Sequence, residues 1–190
     1  SREAHLTGAT FSGFADLLGA TFSGTAYLSG ATFSGFADLS GATFSGTANL
    51  SGATFSGTAN LSGATFSDIA DLSGATFSRR ADFSNATFKR SISFKNAKFE
   101  TEPPNLHEAT LHSDTNWLDS HWPAPPTDRS TAARHTRYYQ RLKQIMDGLK
   151  KHEDELDFFA REMRAQRVVD GGWTSARGIL NGLYSFSCNY

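Results

Sequence analysis

Gly41-Ala42-Thr43-Phe44-Ser45-Gly46-Thr47-Ala48-Asn49-Leu50-Ser51 is followed at once by the same phrase, Gly52-Ala53-Thr54-Phe55-Ser56-Gly57-Thr58-Ala59-Asn60-Leu61-Ser62. Close variants extend in both directions, from about Ala4 to Phe99. So short a unit cannot bury an apolar face alone, so each copy must be stabilised by stacking on its neighbours. Large apolar residues recur at alternating steps of five and six: Leu6, Phe11, Leu17, Phe22, Leu28, Phe33, Leu39, Phe44 and onward to Phe77, then Phe83, Phe88, Phe94 and Phe99. Two residues before nearly every one stands an alanine, and Ile92 is the exception. An i, i+2 pair on one face is the strand period. Each half-phrase therefore reads as a very short extended segment with one small and one large inward residue, followed by a Ser-Gly corner. A helix is a poor alternative, since glycine at this frequency costs about 1 kcal/mol per interior position.

This layout resembles the pentapeptide-repeat family, and Ala48-Asn49-Leu50-Ser51-Gly52 and Ala53-Thr54-Phe55-Ser56-Gly57 are near-ideal units of it. The resemblance covers roughly residues 4–122. It implies a mainly β solenoid: a right-handed quadrilateral β-helix with four units to a coil, here followed by a C-terminal α-helical hairpin. The extra residue at alternate corners departs from the plain five-residue unit and lengthens the coil to about 22 residues, a variant spacing of the family. Residues 22 apart then stack, placing Phe11, Phe33, Phe55, Phe77 and Phe99 in one inner ladder and Phe22, Phe44, Phe66 and Phe88 in the opposite one. After a one-residue slip through Pro103-Pro104, Leu106, Leu111, Trp117 and Trp122 keep the rhythm. The two tryptophans are expected to close the end of the solenoid, the alternative being a loop laid against the helices that follow.

The expected organisation is a β-helix over residues 1–122, a Pro-rich linker over 123–129 and a helical region over 130–190. In the last region, the spacing of Tyr138, Leu142, Ile145 and Leu149 predicts a helix over 130–151. Leu156, Phe159 and Met163 predict a second over 154–169, acidic at its start and basic at its end. An antiparallel hairpin packed on the open end of the solenoid is expected, with dimerisation as a second use. Beyond Gly171-Gly172, the apolar stretch Ile179, Leu180, Leu183, Tyr184 and Phe186 reads equally well as an ordinary helix or as the approach to membrane-spanning segments after Tyr190. Some family members with this spacing look similar here, with a helical segment like Glu162-Met163-Arg164-Ala165 followed by membrane-spanning helices, and that resemblance implies the soluble piece of a longer membrane protein.

The net charge is −1 over 190 residues, with Cys188 the one cysteine. A disulfide framework is thereby excluded, and the expected location is cytoplasmic, with or without a membrane tether. The chain opens on Ser1 rather than Met, which reads as a boundary or cleavage position. No signal peptide or membrane-length apolar run is read in these residues. His107 and His112 are five residues apart, whereas a helical zinc site of the His-Glu-x-x-His type needs four. No nucleophile elbow, phosphate loop or Cys-x-x-Cys is present. The reading is therefore non-enzymatic, with no catalytic, cofactor or metal site. Asp16, Asp38, Asn60 and Asp82 form one outward stack, read as solvated. Two outward ranks of threonine, Thr10 to Thr76 and Thr21 to Thr87, could order water, though Thr and Ser are simply what this repeat uses.

Two surface features single themselves out. Phe14 and Phe36 occupy the extra-residue corner of adjacent coils, where Thr58 and Arg80 come next. Arg79, Arg80, Lys89, Arg90, Lys95 and Lys98 form a basic collar late in the repeat, opposed only by Asp82. The expected function is a scaffold, spacer or protein-interaction module with an unidentified protein partner, a homodimer included, and no direct nucleic-acid binding. The alternative that the resemblance supplies is a gyrase-binding resistance factor that mimics DNA.

Overall fold

The computed structural model describes residues 3–171 in two compact units divided after Pro123. The stretch Ile179–Phe186, Cys188 and the question of a tether after Tyr190 lie outside the described residues. The first unit is a parallel β-solenoid with four walls. The first wall stacks Ala4–His5, Ala26–Tyr27, Ala48–Asn49, Ala70–Asp71 and Ile92–Ser93; the second stacks Thr10–Phe11, Thr32–Phe33, Thr54–Phe55, Thr76–Phe77 and Lys98–Phe99. The third runs Ala15–Asp16, Ala37–Asp38, Ala59–Asn60 and Ala81–Asp82, and the fourth Thr21–Phe22, Thr43–Phe44, Thr65–Phe66 and Thr87–Phe88. All pairings are parallel and in the register that the sequence spacing predicts, for example Thr54↔Thr76 and Phe55↔Phe77. Past Pro103-Pro104 the offset becomes 23, as in Asp82↔Asn105 and Lys98↔His121, and the coil continues without losing wall identity.

The inward residues form the core. Phe33, Phe44, Phe55, Phe66 and Phe77 are fully buried, as are the alanines between them. Ladder rings stack face to face, with Phe33–Phe55 and Phe44–Phe66 centroids 4.8 and 4.7 Å apart. That spacing matches the distance between hydrogen-bonded strands. Phe83 and Phe94 replace leucines and meet edge to face at 5.6 Å. Trp117 stacks on Phe94 at 4.3 Å and Trp122 on Phe99 at 5.3 Å, so both tryptophans continue the aromatic ladders. On these last rungs Thr115 and Ser120 take the inward small position. Their hydroxyls donate to the carbonyls of His112 (2.7 Å) and Phe94 (2.9 Å), which makes a buried polar group acceptable there.

Glycine serves two distinct purposes. Gly52 sits at φ +65°; one rung on, the same corner is turned by Gly74 and then by Asn96, and the opposite corner likewise passes from Gly63 to Asn85. Asparagine is the side chain that tolerates this left-handed region best. At Gly35 the constraint is space, because an added Cβ would lie 2.6 Å from the carbonyl oxygen of Gly13 one rung away.

The second unit contains α1 (Arg129–Gly148) and α2 (His152–Val169). Both boundaries differ from the sequence expectation. Helix α1 starts earlier because Asp128, read as linker, is its N-cap, accepting from the Thr131 amide at 2.9 Å. It ends earlier because Lys150 takes φ +57°, while the Lys150 and Lys151 amides donate to the carbonyls of Asp147 and Met146. That is a Schellman closure with lysine in the seat glycine usually fills. Gly148, the residue that signals a stop, lies inside the last turn. The helices are antiparallel neighbours. Lys143 pairs with the buried Glu162 carboxylate at 2.7 Å and lies over the Phe159 ring, and Gln140 donates to the same carboxylate.

Two outcomes follow. Phe55→Ala should cost about 3–5 kcal/mol in urea unfolding, and Phe11→Ala clearly less, because the first rung leaves Phe11 half-buried. The Ser130 hydroxyl and the Thr131 amide hold the Asp128 carboxyl well below the usual carboxylate range. A depressed folded pKa contributes stability above the unfolded value and loses it as pH falls through the folded value. Helicity of Asp128→Ala should therefore be lower than wild type at neutral pH, and the difference should shrink in strong acid, read by circular dichroism at 222 nm.

Candidate interaction surface

The outward residues of a solenoid form columns, one residue per rung. The corner after the second wall carries Phe14, Phe36, Thr58, Arg80 and Glu102 in one such column. Phe14 and Phe36 are 61% and 39% exposed, with rings stacked at 5.4 Å and 12°. Leu18, Ile69 and Leu118 are also exposed, but each sits at a different corner. Phe14 and Phe36 thus form a contiguous pair held by rigid rungs.

The basic collar is not one patch. Arg79 and Arg80 lie at the same corner as the phenylalanines; Lys89 and Arg90 lie at the corner after the fourth wall. Lys95 follows the first wall, and Lys98 stands on the second wall above Thr76. Residues 79–98 span nearly one coil, so their charges encircle the solenoid. Arg90 comes within 3.9 Å of Asp68 one rung away, an exposed pair of little energetic weight. Arg80 donates to Asp82 Oδ2 at 2.5 Å, whereas Arg79 makes no hydrogen bond or ion pair among the described residues.

The tight glycine column at this corner ends at Gly57, whose Cβ would collide with Gly35. From Arg79 onward side chains are admitted, and a depression of about 490 Å³ opens between Thr58, Ser78, Arg79, Arg80, Thr101 and Glu102.

The Asp/Asn column corrects the sequence reading, which took it as solvated. Asp38 Oδ1 accepts from the Ser40 amide and hydroxyl, and Asn60 and Asp82 accept from the Ser62 and Ser84 amides. These are Asx turns that hold the corner. Amides also bridge rungs: Asn60 Nδ2 donates to Asp38 Oδ1 at 3.1 Å and Asn105 Nδ2 to Asp82 Oδ1 at 2.9 Å. The signal was available, since Asp or Asn recurs two residues before the amide at the turn. The threonine ranks are in register on the second and fourth walls. Neither rank encloses anything. Among the described residues no group of His, Cys, Asp or Glu has the grouping needed to hold a metal.

A family model described as Pentapeptide repeats (9 copies) matches residues 1–43, 39–87 and 72–121. No curated protein and no solved structure matches the chain.

Replacing Asp82 separates its two roles. Asp82→Asn keeps a turn acceptor and loses the Arg80 ion pair, so it should be nearly neutral, as an exposed guanidinium partner implies. Asp82→Ala leaves the Ser84 amide and the Asn105 side chain without that acceptor and should cost about 1–3 kcal/mol by urea denaturation.

Proposed function

Because the chain belongs to the pentapeptide-repeat family, we propose that it acts as a non-enzymatic protein-interaction module whose contact surface is the corner bearing Phe14 and Phe36. That fold supports a protein-interaction or structural module. The observation carrying the proposal is the exposed aromatic pair, stacked in register on a frame that cannot fold it inward. Apolar side chains at the remaining corners are solitary, which is ordinary for a soluble surface. The partner is a protein. Cytoplasmic placement belongs to the same proposal; no described helix is long and apolar enough to cross a membrane.

Mimicry of a DNA duplex draws no support from the charge pattern. A duplex carries about one negative charge per 1.7 Å of axis. A rung rises about 4.8 Å, so duplex-like density needs about three net negative charges per coil. The coil from Thr32 to Ala53 contains Asp38 as its one charged residue, and the coil around 79–98 is net positive.

Site-specific photo-crosslinking tests the module. With the cross-linker at position 36, the full chain should give discrete protein adducts in extract of its source cells. With it at position 54, on a wall, it should give none. Equal labelling from both positions, or none from either, would remove the corner as the contact surface.

A further inference from the structure

The corner at Phe14 and Phe36 has a built-in counterpart two rungs above Phe36. There Arg80 takes the column position of the phenylalanines and Asp82 the position of Asp16 and Asp38. Asp82 uses Oδ1 for the turn and for the Asn105 amide, and its Oδ2 receives the Arg80 guanidinium. Asp38 repeats the first half of this pattern: Oδ1 takes the Ser40 amide and the Asn60 side chain. Its Oδ2 receives no hydrogen bond among the described residues, because Phe36 stands where the guanidinium would originate. The Phe36 face and the open Asp38 oxygen together present what a guanidinium recognises: a ring quadrupole to lie over and a carboxylate to bond. One rung beyond Thr58, Arg79 is exposed and has no ion partner among the described residues.

From this we infer that the partner at the corner is a second copy of the chain, docked antiparallel so that each Arg79 reaches Phe36 and Asp38 of the other. This rests on the interaction-module reading and names its occupant. The column is self-complementary, as an isologous two-fold contact requires. Phe36 lies one rung to one side of Gly57-Thr58 and Arg79-Arg80 one rung to the other. A two-fold axis through Gly57-Thr58 therefore superposes acceptor and donor in both copies at once. The residues at the crossing point are small, so two convex corners can approach closely there. Phe14 backs Phe36 by stacking and holds its ring in place. Contact along a corner buries little area, placing the dimer among weak, transient interfaces, and an exposed ion pair makes it salt-sensitive.

Sedimentation velocity on the full chain, from micromolar to millimolar, tests this. A reversible monomer–dimer equilibrium that weakens with added sodium chloride is expected. Phe36→Ser and Arg79→Ser should each weaken it by about tenfold or more, because symmetry removes both contacts together. An equimolar mixture of the two variants should regain association, since one intact Arg79–Phe36 contact survives in the mixed dimer. Far-ultraviolet dichroism confirms that both exposed-site variants keep the fold. A chain that stays monomeric throughout, a dimer indifferent to both substitutions, or a mixture no better than its components would each overturn the inference. Adducts at position 36 to a different protein, with a monomeric chain, would overturn the second copy and leave the interaction module standing. No adduct and no dimer would remove both.

Discussion

Each rung of this protein is held by the rung beside it. Parallel backbone bonds between residues 22 apart and stacked rings at about the same separation act together. The two spacings agree because both equal the distance between paired strands. A rung has two-residue strands and only a few inward side chains, so it has no stability of its own. The burial pattern records this directly. Phe11 and Phe22 on the first rung are half-buried, while Phe33 and Phe44, covered on both sides, are fully enclosed. The same constraint explains why the tryptophans near the end of the repeat stack as rings rather than departing into a loop.

Stacking also decides how function can be written on such a surface. Walls repeat Thr and Ser, and the third wall spends its Asp and Asn on turns and on amide bridges between rungs. Corners with an extra residue are freer. One such column changes from aromatic to hydroxyl to guanidinium over four rungs, while the inward residue just before it stays phenylalanine throughout, at Phe11, Phe33, Phe55 and Phe77. The chemistry that distinguishes this chain from a generic repeat is therefore concentrated at a corner, on side chains that a rigid frame holds at fixed intervals.

The fold was legible because its determinants are periodic. The alternation of five and six, the alanine two residues before each large side chain, and the survival of the rhythm through Pro103-Pro104 are all visible in the sequence. What stayed hidden was local chemistry. Asp38 and Asp82 looked like solvated carboxylates because each accepts from the backbone amide two residues on, and the only trace of that in the sequence is the place of Asp or Asn before the turn. The end of α1 was overrun because Lys150, not Gly148, takes the left-handed seat. The collar looked like one feature because its residues are adjacent in sequence. A chain that turns through a full square in 22 residues distributes such neighbours over every side. Phe36 and Arg80, far apart in sequence, share a column instead.

The two glycine classes differ in what they permit over longer times. Left-handed corners accept asparagine, so the turn can drift in sequence. The tight positions Gly35 and Gly57, each pressed on the glycine one rung before it, admit no side chain and must be copied whole. Duplication of two phrases in that stretch would lift Arg80 one step away from Phe36 and keep both on the same corner. Duplication of a single phrase would carry the arginine round to the far corner, where it would face away from the rings. Growth of this protein by paired phrases preserves its lettering, and growth by odd ones scrambles it.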